Sequence, residues 1–384
     1  MTPDLRPRPV RSAHVPKGIG LKKHATTIVN LLKYVVGFGL LAYILRQNWD
    51  PKIAEDGKVL SPGISGLLQQ TPDYLAFIGL ATIAIACTSI QFVRWYILVR
   101  ALDLPFSLPS AFRLGFIGCF YNAFLPGSVG GDLVKAFYIA RDTPGRRAAA
   151  VATVMADRLV GLFGLIWFSA LIGGSFWLAG NSRIVGNAYL EKIIFVCGVL
   201  VAAAVIVWIG LGFLPASRQE QIDRLFKRIP KFGPTFSELW TVLRTYRQKS
   251  KAIYTVIAMT AVVHVGFVFM FHLAVRVFPL VEPGSLPEHF VIAPVGYIAQ
   301  AFFPAPGGVG GAEFIFGYLY SLLGRPDATG VVGRLTLRVV EWSIGLVGLY
   351  YFLRMRSNLV TSEPEASVEP VASATGDPTS AKLP

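Results

Sequence analysis

The chain has 384 residues, 53% of them hydrophobic and only 15% charged, with a mean hydropathy of +0.55. Residues 74–93, 193–214 and 252–275 contain no Asp, Glu, Lys or Arg. Runs of that length can cross a hydrocarbon core of roughly 30 Å, which excludes a pair of soluble domains and predicts an all-α, polytopic membrane protein. The formal charge of +14 collects in the N-terminus, in loops and after the last apolar run. That is the charge sorting of membrane topology, without the aromatic–basic pattern of a nucleic-acid surface.

Residues 1–28 form a basic, Pro-containing segment with no small-residue cleavage site, so the run at 29–45 is expected to stay as a first span. A polar loop, 46–73, leads to a second span at 74–98. Its end, 94-RWYILVR-100, offers Trp95 and Tyr96 to the headgroup region. After 101–112 comes an interrupted apolar segment, 120-FYNAFLPGSVGGDLVKAFYIAR-141, followed by Arg146 and Arg147. The third span, 148–172, carries Asp157 and Arg158. A loop at 173–192 precedes the fourth span, 193–214.

Residues 215–251 hold nine Lys or Arg against three Asp or Glu, and 218-RQEQIDRLFKRIPKF-232 has the pattern of an interfacial amphipathic helix. The fifth span is 252–276 and an acidic loop covers 279–289. A second interrupted segment, 290–323, includes 297-YIAQAFFPAPGGVGGAEFIFGY-318. The last span, 331–353, closes on Arg354 and Arg356. These elements make a transmembrane domain at 29–356 with an amphipathic cytoplasmic loop at 215–251. The tail, 357–384, has the composition of a disordered segment. By the positive-inside rule both termini and the 215–251 loop are cytoplasmic. The charges then balance with six full spans and two re-entrant hairpins, the first entering from the cytoplasmic side and the second from outside.

The two interruptions match each other. In 122-NAFLPGSVGGD-132 and 300-QAFFPAPGGVGGAE-313 an amide precedes an apolar pair, then Pro, Gly, Val-Gly-Gly and an acid. Pro126 and Pro306 end a helix, and Gly130, Gly131, Gly310 and Gly311 allow turns that a Cβ obstructs. Backbone freed from a helix cannot face lipid, so it must be packed in protein or line a wet cavity. Two such breaks in oppositely oriented halves resemble the inverted repeats of transporters.

Each break is followed by ionisable residues inside an apolar run, Asp157 and Arg158 in one half, Arg334, Arg338 and Glu341 in the other. Such residues face a cavity or a partner. Asp132 and Glu313 can cap the helix after each break or face a ligand. Arg334, Arg338 and Glu341 share one helical face. They either form a structural Arg338–Glu341 pair or hold an anionic headgroup. His264 and His272 lack the neighbouring ligands of a metal site, no Gly-Lys-Ser or Gly-Lys-Thr follows the glycines, and no catalytic set is complete.

The motifs FLPGSVGGDLVKAFYIAR at 124–141, DRLVGL at 157–162, PAPGGVGGAE at 304–313 and RLTLRVVEW at 334–342 fall in an order that resembles the lysylphosphatidylglycerol synthase transmembrane region family, or flippase-like domain family. The resemblance covers roughly 25–355. It implies the translocation half of such a synthase without the cytoplasmic aminoacyl-transfer domain. The cargo it implies is a phospholipid, a glycolipid or a polyprenyl-linked sugar at the cell membrane. A non-catalytic partner or enzyme of lipid modification is the alternative. Expected partners are an anionic or modified lipid, a lipid-modifying transferase and further copies of the chain. No nucleic acid, metal or cofactor is expected.

The charge balance makes a topology prediction. In a cysteine-free background, single cysteines at Asp56 and within 279–289 should react with an impermeant thiol reagent from outside, and one at Leu225 only from inside. Exclusively cytoplasmic labelling within 279–289 would remove the opposed hairpins.

Overall fold

The computed structural model describes the backbone of residues 18–361, except 54–58, 62, 68, 125–129, 181–185, 230–232 and 280–282. It describes the side chains of that set other than those of 18–30, 52, 59–61 and 356–361. Pro126 and the 362–384 part of the tail therefore lie outside the described residues.

The fold is a helical bundle. Helix α1 (Gly18–Gln47) starts well before the predicted span. The loop after it carries a small antiparallel pair, β1 (Lys52–Ile53) with β2 (Val59–Ser61), and a one-turn helix, α2 (Gly63–Leu67). Then come α3 (Tyr74–Ala101), α4 (Leu108–Phe124), α5 (Gly130–Asp142) and α6 (Arg147–Leu178). Helices α7 (Ala188–Phe213), α8 (Ala216–Lys227) and α9 (Gly233–Gln248) lead to the second half. That half consists of α10 (Ser250–Ala274), α11 (Leu286–Phe302), α12 (Gly311–Leu322) and α13 (Asp327–Thr361). Among the described residues, α3, α6, α7 and α10 are long and apolar enough to cross a membrane. α13 has 35 residues but carries Arg334, Arg338 and Glu341 within its apolar stretch.

Local chemistry sets the helix starts. Asp73 caps α3 by accepting from Leu75 N–H and Ala76 N–H at 2.9 and 3.0 Å. Ser285 and Glu288 form a reciprocal capping box on α11. The basic region at 215–251 holds two helices, where the sequence pattern marked only the first. α9 is amphipathic like α8, its apolar residues recurring at helical spacing between polar ones, so it forms no continuous apolar run.

α3 and α10 form the antiparallel centre. Ala76–Cys87 of α3 share one core with Val263–Ala274 of α10. Trp95–Ala101 share a second core with Ile253 and Val256. The 94–96 stretch therefore departs from expectation. Arg94 and Trp95 are buried rather than set at the headgroups, and Trp95 Nε1 donates to Thr153. The remaining contacts are reciprocal. α4 packs on α13 and α11 on α6, while α5 packs on α6 and α12 on α13. Each half's hairpin is thus closed by the other half's last long helix.

At the second break Phe303 turns extended, a 3-10 turn spans Pro306–Gly308, and Gly310 takes φ 80° before α12 begins. A Cβ at Gly310 would fall on the Gly37 carbonyl oxygen of α1. Gly131 works differently. Its backbone is not left-handed, but a Cβ there would overlap the Gly118 carbonyl, because α5 lies directly on α4. α1 touches both breaks. Tyr34 donates to the Phe124 carbonyl at the end of α4 at 2.7 Å, and a Cβ on Gly37 would come within 2.5 Å of Ala305.

Gly131→Val and Gly311→Val should therefore lower the melting temperature in detergent, through overpacking worth about 1–3 kcal/mol. Gly198→Val, on α7 with nothing within 4 Å of the added Cβ, should melt like the parent. Equal melting of all three would remove close helix approach as the reason for these glycines.

Candidate functional site

Between the two breaks lies a cavity of about 330 Å³. Asn122 and Ala123 reach it from the end of α4, and Gln300, Ala301 and Gly307 from the second break. Arg158 of α6 and Arg338 and Glu341 of α13 bring charge to its wall. Phe267, Met270 and Ile344 supply apolar surface, and Trp342 closes one side. Polar groups from both halves thus meet in one space.

Each break is bridged in part by the amide that precedes it. Asn122 Oδ1 accepts from Gly131 N–H at 2.8 Å, and Gln300 Nε2 donates to the Gly307 carbonyl at 3.4 Å. Gly307 O also accepts from Arg338 Nη1 at 3.2 Å. The backbone freed at the second break is satisfied inside the protein, as the hydrocarbon environment demands.

Behind the wall stands a layer of paired charges. Glu313, fully buried, accepts Gly310 N–H on one oxygen at 2.7 Å and Arg338 Nε on the other at 2.6 Å. It is both a helix cap and a charge partner. Arg338 Nη2 lies at the same 2.6 Å from that carboxylate but makes no hydrogen bond in line. Arg334, also fully buried, donates to Glu341 at 2.8 Å. The sequence alternative of an Arg338–Glu341 pair is thus replaced. Arg334 reaches two turns along α13 to Glu341, and Arg338 reaches across to α12.

In the first half Asp132 does not cap α5 through Gly131, whose N–H is taken by Asn122. Asp132 instead faces Arg158 at 3.4 Å and Lys135 at 3.7 Å. Asp157 turns away from the cavity and accepts from Arg94 Nε at 2.8 Å, with Arg94 also donating to Thr260 at 3.1 Å. Of the residues singled out in the sequence, Arg158, Arg338 and Glu341 come together on the cavity wall. Asp132 and Glu313 stand behind the arginines. Asp157 and Arg334 are held in pairs further from the opening.

Sequence reasoning missed Arg94 and Lys135. Arg94 sits at an apparent span end, yet its neighbours bury it. Lys135 lies inside the interrupted segment, with its ammonium 5.2 Å over the Trp95 ring and 3.7 Å from Asp132. Its place one turn after Asp132 was the available signal. His264 contacts the Gly161 carbonyl at 3.1 Å, while His272 pairs with His289 at 2.7 Å near the far end of α10. The cavity also holds unmet polar atoms. Trp342 Nε1 and Gln300 Oε1 are buried with no hydrogen-bond partner among the described residues. With Arg94, Lys135, Arg158, Arg334 and Arg338 set against Asp132, Asp157, Glu313 and Glu341, the charge around the space is positive by one.

Residues 60–348 match the model of the lysylphosphatidylglycerol synthase TM region. The chain belongs to that family. The match holds both breaks, all of α3–α12 and α13 as far as Gly348, and leaves α1 outside it. No curated protein and no solved structure matches the chain. Family and apolar helices together make this a multi-pass membrane protein of a lipid-handling family.

The Arg94–Asp157 pair should be structural. Removing one partner of a buried ion pair strands the other charge, at about 3–5 kcal/mol, whereas removing both is often nearly neutral. Arg94→Met should lower the melting temperature sharply, and Arg94→Met with Asp157→Leu should recover most of it. An undisturbed Arg94→Met variant would remove that role.

Proposed function

We propose that this protein moves the headgroup of an anionic or modified lipid across the membrane through the cavity between the two breaks. One observation carries the reading. Arg158 from one half and Arg338 from the other stand on the wall of the same cavity, each backed by the acid that follows a break. A guanidinium is suited to a phosphate oxygen. Trp342 Nε1 is a further donor in want of an acceptor. The paired acids orient the arginines toward the cavity, so that less ordering remains when a headgroup arrives.

The membrane arrangement is part of the same proposal. Helices of 17 and 13 residues in one hairpin, and 17 and 12 in the other, reach about 25 and 20 Å at 1.5 Å per residue. That is short of a roughly 30 Å core, which supports re-entry in place of two crossings. The reciprocal packing of the halves supports an inverted repeat with six spans and cytoplasmic termini. Rocking of one half on the other about α3 and α10 would then open the cavity to alternate sides.

Arg158 is the residue to change first, since its side chain is 45% exposed and its neighbour Asp132 also faces Lys135. In proteoliposomes holding a fluorescent phosphatidylglycerol, Arg158→Gln should slow translocation with little change in melting temperature. Losing one hydrogen bond to a charged group costs about 1.5–3 kcal/mol, or about 10- to 150-fold. Arg338→Gln should be combined with Glu313→Gln so that no buried carboxylate is stranded. Parental rates in both folded variants would overturn the proposal.

A further inference from the structure

A second cavity, of about 220 Å³, lies between the end of α7 and the α8–α9 pair. Gly212 and Leu214 form one side, Gln219 the rim, and Trp240, Arg244 and Arg247 of α9 the other. Arg247 lies with its guanidinium carbon 5.2 Å from the ring centre of Trp208 on α7, and its Nη2 fills the space a side chain at Gly212 would take. The Nε atoms of Arg244 and Arg247 are buried and make no hydrogen bond among the described residues.

Among the described residues no acid lines this space. Asp223, the acid nearest Arg244 in effect, is held by Lys227 at 2.7 Å and by the Ser237 hydroxyl. Glu238 accepts Ala149 N–H on α6 at 2.7 Å. The rim is fixed, since Gln219 donates to the Leu214 carbonyl at 2.8 Å and Trp240 Nε1 donates to the Gln219 carbonyl at 3.2 Å. Two guanidiniums with buried, unmet donors therefore converge on a shaped, acid-free hole.

The neighbouring surface is apolar. Ile209 and Phe213 on α7 are 49% and 82% exposed, and Leu225 on α8 is 61% exposed. α7 is also the most lipid-like of the long helices, with 6% of its apolar window buried. An occupant with an anionic head and long apolar chains matches both features.

We propose that this cavity is a second lipid site, taking the phosphate of an anionic phospholipid between Arg244 and Arg247 with its acyl chains along α7. The bound lipid would dock α8 and α9 on the membrane surface. The shared chemistry is a phosphate group, and a free phosphate ion is the other source of it. The inference needs only that the protein sits in a membrane, so it stands or falls separately from translocation through the central cavity.

The test uses the full chain, delipidated in a neutral detergent, with native mass spectrometry and melting curves as readouts. Phosphatidylglycerol, phosphatidylcholine and inorganic phosphate are the probes. Beyond any lipid at the central cavity, which both proteins share, wild type should bind one phosphatidylglycerol molecule that Arg244→Gln/Arg247→Gln binds about 10- to 150-fold more weakly, and phosphatidylcholine should not replace it. Arg244→Lys/Arg247→Lys, which keeps the charge, should bind with intermediate affinity. Without lipid the double Gln variant should melt no lower than wild type, because it removes two unsatisfied buried donors, and phosphatidylglycerol should raise the melting temperature of wild type more than that of the variant. If the arginines serve only to pack on Trp208, the double variant will melt lower without lipid and gain as much from phosphatidylglycerol as wild type, which overturns the proposal. Stabilisation by inorganic phosphate equal to that by phosphatidylglycerol overturns the lipid assignment.

Discussion

Glu313 makes the bond on which the central architecture depends. One carboxylate oxygen ends the run of unpaired N–H groups where α12 begins, and the other holds Arg338. Neither task could stand alone at full burial. A carboxylate with only a backbone donor would carry an unbalanced charge, and an arginine without it would carry the opposite one. Their union lets a chain break and a cation coexist at a depth where each would otherwise be expelled. Because Arg338 also donates to the Gly307 carbonyl, the same side chain repairs backbone that the break has opened.

The charged layer has a definite place in the packing. One apolar core gathers around Ala76–Cys87 and Val263–Ala274, the other around Trp95–Ala101, Ile253 and Val256. Arg94, Asp157 and Thr260 lie at the junction between them. Two apolar blocks are thus joined through a polar seam. Apolar cores resist sliding because they are close-packed, and the buried Arg94–Asp157 pair, costly to separate, ties the two blocks together at the seam.

Much of this was legible in the chain. Apolar runs free of charge gave the long helices, and the paired Pro-Gly-acid breaks marked the two interruptions, since proline and glycine act locally. The acids' partners were not legible. Spacing suggested Arg338 with Glu341, three apart on one helix, but the pairing depends on how α12 lies against α13, which no local pattern encodes. Arg94 was hidden for a similar reason. Its position at the end of an apolar run suits a membrane surface, and only the arrival of α6 and α10 encloses it. α9 escaped notice because its apolar residues recur at helical spacing between polar ones and form no continuous apolar run, although its helix carries both arginines of the second cavity.

The two breaks differ in the strength of their charge contacts. Glu313 grips Arg338 at 2.6 Å with both groups buried, while Asp132 shares itself between Arg158 at 3.4 Å and Lys135 at 3.7 Å. Coulomb attraction at such separations depends more on local dielectric than on a few tenths of an ångström, and Arg158 is partly exposed. Asp132 therefore holds Arg158 more loosely than Glu313 holds Arg338. For a site that must release what it binds, this inequality is useful. A headgroup meeting two equally tight pairs would gain little by displacing either. Meeting one loose pair and one tight pair, it can draw Arg158 toward itself while Arg338 stays fixed as a reference point. In the proposed translocation the looser contact would supply the moving part, and the buried Glu313–Arg338 pair the frame against which it moves.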